Sequence, residues 1–389
     1  MPLDVSVFNK PGHTKRVQAT FLLSILPRFY ATLTRIIGLA YKGKIMNNFI
    51  TELAATTKKL STRGKGILAA DESTPTITKR FQAVGIESTE DTRRAYREML
   101  MGAKGVSNYI AGVILFEETL NQKTSSGVLF PEFLAKNGIL AGIKVDKGLV
   151  HLANTVDENI TQGLDGLAER LQDYKSKGAS FAKWRAVYQI GAETPSTIAV
   201  KTNAEVLARY AAICQEAGIV PIVEPEVLID GDYTIAQAEK IGERVLFALF
   251  KALHRHKVML EYIVLKPSMI ISGKACSKQA NAEEVGAATV RVLRRTVPAA
   301  VPTINFLSGG QSSEQATANL NAMNALGTPP WNLSFSYARA LQEYAMKIWA
   351  GSEKNVTAAQ DAFIKRARLN SEASLGKYTT AMEKDTAAA

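Results

Sequence analysis

Eight short apolar runs rich in β-branched residues alternate with longer amphipathic segments through most of the chain. The predicted strands are Gly66–Ala70, Ala111–Phe116, Ile139–Val145, Phe181–Trp184, Ile219–Val223, Tyr262–Leu265, Thr303–Leu307 and Trp331–Phe335. Strands that alternate with helices pair in parallel, and right-handed crossovers join them. Eight such units predict an α/β fold, a TIM (β/α)8 barrel in a single domain. An open doubly wound sheet is the alternative, although no G-x-G-x-x-G motif follows the first strand.

Helical periodicity marks the segments that connect these strands. Leu164, Leu167, Leu171 and Tyr174 recur at the spacing of a helix that packs one face against a barrel wall. The predicted helices are Glu90–Met101, Leu164–Lys177, Ala204–Glu216, Ile235–His254, Ala282–Arg295, Glu314–Leu326, Tyr337–Trp349 and Thr357–Leu369.

Residues 1–45 differ in composition from the rest of the chain. Seven lysines and arginines stand there against a single acidic residue, Asp4. This pattern is typical of an organelle-targeting presequence, and Lys15-Arg16 before an apolar run weakly indicates a signal peptide. The alternative is a dispensable extension, because Met46 could begin a complete domain. The predicted organisation is a basic N-terminal extension at 1–45, a barrel at 46–378 and a C-terminal tail at 379–389.

Composition argues against several classes of protein. No uninterrupted run of about 18 apolar residues occurs, so we predict no membrane span and no membrane partner. The two cysteines, Cys214 and Cys276, form no disulfide framework or metal motif and suit a reducing compartment. We therefore expect a cytoplasmic protein, or an organellar one if residues 1–45 are a transit peptide. A net charge of +11 without an aromatic-interleaved basic stripe favours small anionic substrates over nucleic acid.

Charged residues end most of the predicted strands, where a TIM barrel carries its catalytic groups. They are Asp71 after the first strand, Lys144 and Asp146 at the third, Lys183 and Arg185 at the fourth, Glu224 and Glu226 at the fifth, and Lys266 at the sixth. Charged side chains in apolar runs are rarely buried without a partner. One such residue could be a structural ion pair, but a ring of them indicates an active site.

Lysines that converge with carboxylates suit one kind of covalent chemistry. A neutral lysine amine can attack a ketone and form an iminium, or Schiff base, which withdraws electrons during carbon–carbon cleavage. Carboxyl groups must expel water from the carbinolamine and move the hydroxyl proton of the departing carbon. Glu224 and Asp71 are placed for these proton transfers. The residues alone do not choose between Lys183 and Lys266 as the nucleophile.

A phosphate site is predicted after the seventh and eighth strands. Ser308, Gly309 and Gly310 offer backbone N–H groups without obstructing side chains, and Ser336 and Arg339 follow the eighth strand. TIM barrels commonly bind phosphate in these two loops.

Nine ordered motifs between about residues 47 and 378 resemble those of class I fructose-bisphosphate aldolase. They are GKGILAADEST (64–74), GVILFEETL (112–120), GIKVDKG (142–148), TQGLDGL (161–167), FAKWR (181–185), IVPIVEPE (219–226), LKPSM (265–269), FLSGGQS (306–312) and SFSYARAL (334–341). The resemblance implies a TIM-barrel homotetramer. It also implies metal-free, reversible cleavage of fructose bisphosphate into dihydroxyacetone phosphate and glyceraldehyde phosphate.

The resemblance assigns roles position by position. Lys266 matches the Schiff-base lysine, Glu224 the acid/base residue supported by Glu226, Lys183 the lysine that assists dehydration, and Asp71 the carboxylate that serves C–C cleavage. The residues that match substrate and phosphate contacts are Lys144, Ser73, Arg185, Arg80, Arg93, Ser308, Gly309 and Arg339.

Three departures from the family pattern bear on function. Pro75-Thr76 replace the usual Gly-Ser after DEST; Thr76 keeps a hydroxyl, but Pro75 removes an N–H from the second phosphate site. Ala338 replaces the usual glycine before Arg339. The chain ends in Thr-Ala-Ala-Ala rather than the tyrosine that mediates proton exchange in animal members, and its last aromatic residue is Tyr378.

Two alternatives remain at this stage. One is a related sugar-phosphate aldolase or transaldolase-like enzyme, since the sequence does not rank fructose bisphosphate against fructose monophosphate or sedoheptulose bisphosphate. The other is a non-catalytic scaffold on the same fold. Retention of Lys183, Glu224, Lys266 and Asp71 argues against a scaffold, which has no use for buried charges.

Overall fold

The computed structural model describes residues 49–384, so the predicted extension and the last five residues of the predicted tail lie outside it. By its internal contacts the chain divides into two units, Met1–Thr51 and Glu52–Ala389, and the architecture below belongs to the second. The strands are β1 Gly66–Ala70, β2 Ile110–Leu115, β3 Leu140–Lys144, β4 Leu149–His151, β5 Asn159–Thr161, β6 Ala179–Tyr188, β7 Val220–Val227, β8 Val264–Leu265, β9 Thr303–Phe306 and β10 Asn332–Tyr337.

Eight parallel strands close a barrel in the order β1-β10-β9-β8-β7-β6-β3-β2. The predicted TIM barrel is therefore confirmed. Strands β4 and β5 form a separate antiparallel hairpin in the long connection between β3 and β6.

Helices surround the barrel. They are α1 at residues 49–60, α2 Thr74–Gln82, α3 Glu90–Met101, α4 Glu117–Asn121, α5 Phe130–Lys136, α6 Leu167–Ser176, α7 Thr197–Glu216, α8 Ile235–Arg255, α9 Ala282–Thr296, α10 Ser313–Ala325, α11 Arg339–Trp349 and α12 Val356–Ser374. Capping boxes start α3, α8, α9 and α10, where Thr89, Thr234, Asn281 and Ser312 exchange hydrogen bonds with the third residue of the helix. These bonds satisfy N–H groups that the first helical turn leaves free.

Several predicted boundaries were wrong. Tyr337 is the last residue of β10 rather than the first of a helix, because its side chain is buried and its hydroxyl donates to Ala316 O. Helix α7 begins seven residues earlier than predicted, at Thr197, since Ser196 caps it ahead of the apolar repeat. Strand β8 contains only two residues, and Tyr262 lies in a 3-10 turn before it.

The interior of the barrel is filled by apolar side chains from alternate strand positions. Phe181 is fully buried there with Ile67, Ile114 and Ile222. A Cβ atom on Gly142 of β3 would lie 2.2 Å from the Phe181 ring, so only glycine fits at that position. The apolar filling leaves the carboxyl ends of the strands for charged groups.

The substitution Gly142→Ala should destabilise the barrel by about 1–3 kcal/mol, the usual cost of overpacking a core. Denaturant unfolding followed by circular dichroism measures it. Phe181→Leu in the same chain should recover part of the loss, because it removes the ring that the new methyl group meets. Equal stability of Gly142→Ala and the parent chain would show that the Phe181 ring is not confined.

Candidate active site

Carboxylates from three strands meet Lys183 at the carboxyl end of the barrel. Lys183 lies in β6, where the parallel register sets it opposite Lys144 of β3. Its Nζ is 2.7 Å from Asp71 Oδ2, 3.6 Å from Glu224 Oε2 and 3.8 Å from Asp146 Oδ2. Only 3% of Lys183 is exposed, so these carboxylates replace water as its stabilising partners.

Lys266 is a second buried amine in the same place. It follows the last residue of β8, and its backbone N–H donates to Val223 O at 2.9 Å. Its Nζ is 3.2 Å from Glu224 Oε1. Glu224 therefore directs one oxygen toward each lysine. We call Lys144, Lys183, Lys266, Asp71, Asp146 and Glu224 the strand-end cluster.

The cluster fixes the charge of two of its members. Burial by itself raises the pKa of Asp71, but Lys183, Lys266 and Lys144 outweigh it and lower that pKa to about 2. Burial also lowers the pKa of Lys183, yet Asp71, Glu224 and Asp146 raise that pKa well above its usual value. At neutral pH the two groups therefore form a carboxylate–ammonium pair.

Two further ion pairs lie at the strand ends, one within the cluster and one beside it. Lys144 Nζ lies 2.7 Å from Asp146 Oδ1, at the end of β3. Arg185 Nε lies 2.5 Å from Glu226 Oε2, and this carboxylate outweighs burial and raises the pKa of Arg185. Glu226, predicted to support Glu224, is thus engaged with the neighbouring strand.

The loop after β9, Ser308–Gln311, contains three of the residues predicted to bind phosphate. We call it the β9 loop. Gly309 and Gly310 have φ values of 49° and 85°, in the left-handed region that favours glycine. A Cβ atom on Gly310 would lie 3.7 Å from Arg339 Nη2, which places that guanidinium beside the loop. Ser336 Oγ, at the end of neighbouring β10, is buried without a hydrogen-bond partner within residues 49–384.

Buried lysines with facing carboxylates, next to a glycine loop and an arginine, form the arrangement expected of an iminium-forming sugar-phosphate enzyme. A family model described as "Fructose-bisphosphate aldolase class-I" matches residues 52–389. The chain belongs to the class-I fructose-bisphosphate aldolase family. The resemblance given by the nine motifs and the predicted lyase class are thereby confirmed.

Individual relatives agree with this assignment. "Fructose-bisphosphate aldolase 4, cytosolic" of Arabidopsis thaliana is 55% identical over 328 residues, 84% of either chain. "Fructose-bisphosphate aldolase" of Dictyostelium discoideum is 53% identical over 336 residues, 86% of this chain and 94% of the relative. The structure of fructose-bisphosphate aldolase from Plasmodium falciparum, in complex with TRAP and a small-molecule inhibitor, aligns with a TM-score of 0.84. The sequence of that aldolase is 49% identical to this one, and the alignment covers 85% of this chain and 96% of the Plasmodium chain.

The aldolase barrel places the two other predicted arginines against carboxylates. Arg80 Nη1 lies 2.5 Å from Glu72 Oε1. Arg93 donates to both oxygens of Glu118, with Nη2 2.5 Å from Oε2. No contact recorded for residues 49–384 joins either arginine to the strand-end cluster. Their predicted role near phosphate therefore stays a prediction.

The N-terminus of α2 carries the predicted residues Ser73 and Thr76. Their hydroxyl oxygens are 3.0 Å apart, in the exposed turn that begins the helix. Pro75 occupies the first turn, where backbone N–H groups have no partner within the helix. Proline therefore removes a donor from the end of α2 that would face an anion.

Asp146 is the member of the cluster for which no role was predicted. It is buried, and its Oδ2 accepts no hydrogen bond within the described part of the chain. Its position two residues after Lys144 placed it at a strand end, but that position alone does not show whether its carboxylate contacts a lysine of the neighbouring strand. Its distance from Lys183 makes it a bridge between β3 and β6.

Within residues 49–384 no three His, Cys, Asp or Glu side chains converge as metal ligands do. No helix in that range has both the length and the apolar character required to span a bilayer.

The variant Asp71→Asn should be less stable than the parent at neutral pH by about 2 kcal/mol, the free energy equivalent of lowering a pKa from 3.8 to about 2. Because the folded-state pKa is depressed, this stabilisation is present above about pH 4 and is lost as the pH falls toward about 2. The gap between the two unfolding free energies should therefore narrow across that interval. Asp173→Asn, at an exposed pair with Lys177, is the control. A gap that stays constant to low pH would contradict the ion-pair origin.

Proposed function

We propose that this chain catalyses the reversible aldol cleavage of fructose 1,6-bisphosphate into dihydroxyacetone phosphate and glyceraldehyde 3-phosphate, through an iminium on Lys266. The observation that carries the proposal is the position of Glu224 between two buried lysine amines. One of its oxygens faces Lys183, which other carboxylates also surround, and the other oxygen faces Lys266. The names of the two relatives, both fructose-bisphosphate aldolases, support this substrate.

The surroundings of the two amines favour Lys266 as the nucleophile. Three carboxylates lie within 4 Å of Lys183 Nζ and hold it as an ammonium group without a free electron pair. Glu224 is the one carboxylate in that range of Lys266 Nζ among the described residues. With one carboxylate contact instead of three, the Lys266 amine is held by fewer ion pairs and is the more available of the two for attack on a carbonyl.

The proposed steps assign one proton transfer to each carboxyl group. The Lys266 amine attacks the C2 carbonyl, and Glu224 protonates the carbinolamine hydroxyl so that water leaves and the iminium forms. Asp71 then takes the C4 hydroxyl proton, the C3–C4 bond breaks, and its electron pair enters the iminium to give an enamine. Glyceraldehyde 3-phosphate leaves, and the proton held by Asp71 returns through water to C3 of the enamine. Hydrolysis of the resulting iminium then releases dihydroxyacetone phosphate and the free Lys266 amine. Lys183 keeps Asp71 ionised until it accepts the C4 hydroxyl proton.

Phosphate binding is proposed at two places. Ser308, Gly309, Gly310, Ser336 and Arg339 would bind the phosphate on the dihydroxyacetone side, and Lys144, Arg185, Ser73 and Thr76 would contact the sugar and the second phosphate. Arg80 and Arg93 remain candidates for contact with a phosphate, and each is paired with a carboxylate, Glu72 and Glu118. We propose that the reaction needs no metal and no organic cofactor, since the lysines and carboxylates of the strand-end cluster can make the charge changes that the reaction requires.

We further propose a homotetramer in the cytoplasm. Two exposed apolar areas support association: Leu149, Val150 and Val156 on the β4–β5 hairpin, and Ile198 and Phe247 on α7 and α8. Val156 is 76% exposed and Phe247 64%, which is costly for a free surface. Relatives with names that include "cytosolic" or "cytoplasmic" support the location, with an organelle as the alternative if residues 1–45 are a transit peptide.

Reductive trapping tests the mechanism. Incubation with dihydroxyacetone phosphate and borohydride should place a stable adduct on the peptide that contains Lys266. Lys266→Met should abolish both the adduct and cleavage, whereas Lys274→Met, at an exposed lysine eight residues later, should change neither. Cleavage should persist in EDTA. An adduct on Lys183, or none at all, would refute the assignment; no adduct together with no cleavage favours the scaffold alternative.

Restoring a backbone N–H donor at the start of α2 should increase the preference for fructose 1,6-bisphosphate over fructose 1-phosphate. Pro75→Gly should raise kcat/KM for fructose 1,6-bisphosphate relative to fructose 1-phosphate by about three- to tenfold, the net effect of one typical hydrogen bond. Pro131→Gly makes the same change in the first turn of α5 and should leave the ratio unaltered. If both variants shift the ratio equally, the effect does not come from the second phosphate site.

A further inference from the structure

The C-terminal turn, Thr380–Glu383, is bound to helix α12 by charge. The Glu383 carboxylate accepts two hydrogen bonds from Arg366 Nη1, at 2.6 and 2.7 Å, and one from the Tyr378 hydroxyl at 3.0 Å. Its backbone carbonyl accepts from Lys365 Nζ at 2.5 Å. Four contacts on one residue make Glu383 the anchor of this turn.

Arg366 connects that anchor to helix α10. The guanidinium is 2% exposed, and its second nitrogen, Nη2, donates to Ser313 O at 3.0 Å and Thr317 Oγ1 at 2.5 Å. Glu383 forms the one salt bridge recorded for Arg366 in residues 49–384. A buried guanidinium is destabilised when it loses its carboxylate partner, so Glu383 stabilises Arg366 in this geometry.

The first turn of α10 leads directly out of the β9 loop. Ser308 O accepts from the backbone and side-chain nitrogens of Gln311, and Gln311 Oε1 accepts from Asn319 of α10 at 2.7 Å. On the other side, Tyr337, two residues before Arg339, donates to Ala316 O at 3.0 Å. Arg366 and Tyr337 thus hold α10 from two sides, and the helix in turn holds the β9 loop.

We propose that Glu383 is a positioning residue for phosphate binding at the β9 loop, acting through Arg366 and the first turn of α10. The inference rests on the proposed function for its substrate, but it concerns an anchor remote from the reacting atoms. Release of Glu383 frees Arg366 from Ser313 O and Thr317, and the first turn of α10 shifts. The backbone N–H groups of the β9 loop then align less well with phosphate, whereas Lys266 keeps its position after β8 and Glu224 its position on β7.

Kinetics and calorimetry on full-length Glu383→Gln and Glu383→Ala variants test the proposal. Gln keeps a hydrogen-bond acceptor without the charge, and Ala removes both. KM for fructose 1,6-bisphosphate and the Kd for inorganic phosphate should rise together, more in Ala than in Gln, by a factor between about two and thirty. Glu383→Asp should recover part of the loss. Saturated kcat should remain within about twofold. Glu353→Ala, on the exposed 3-10 turn Glu353–Asn355, is the control.

The outcomes separate positioning from plain structural support. A lower melting temperature with unchanged KM and unchanged phosphate Kd would show that Glu383 only stabilises the fold and would overturn the proposal. A fall in kcat with unchanged KM would overturn it as well. Should Glu383→Ala not fold, the comparison of Glu383→Gln with Glu383→Asp decides. Phosphate calorimetry needs no catalysis, so it reports on Glu383 even if trapping at Lys266 fails.

Discussion

The ammonium group of Lys183 is enclosed by carboxylates that three different strand ends contribute. Asp71 follows β1, Asp146 follows β3 and Glu224 belongs to β7, and each lies within 4 Å of the Lys183 nitrogen. A buried cation is tolerated only when such partners are present together. The barrel must therefore close in the correct register before this charge is compensated. Among residues 49–384, Lys266 has Glu224 as its one carboxylate within 4 Å, so barrel closure also sets the different surroundings of the two amines.

The β9 loop, the proposed phosphate site, adjoins a second constraint, the placement of helix α10. Its capping box at Ser312 begins the helix immediately after the β9 loop, and buried hydrogen bonds from Tyr337 and Arg366 fix its first turn. The C-terminal turn is attached to the same helix through Glu383. Residues after α12 thus help to hold a loop that lies about seventy positions earlier in the chain.

Much of the fold could be predicted because its signals are local. Apolar β-branched runs located all eight barrel strands, and the strand-end charges Lys144, Lys183, Glu224 and Lys266 were recognised from position alone. The predictions failed where no local signal exists. Strand β8 is held by its neighbours over two residues, and Tyr337 continues β10 because its hydroxyl reaches Ala316, contacts that the sequence does not display. The pairing of Arg80 with Glu72 was hidden for the same reason.

The sequence by itself determined the strand count, the parallel barrel and the ring of charges at one end of it, since periods of 2 and 3.6 residues and charged residues after apolar runs are properties of short segments. Its motifs also determined the family. Only the tertiary structure decided which carboxylate compensates which lysine, and that Glu383 compensates Arg366. The physical reason is that a group's protonation and position depend on distances of 3–4 Å to side chains from other strands and helices, and these distances exist only after the barrel has closed.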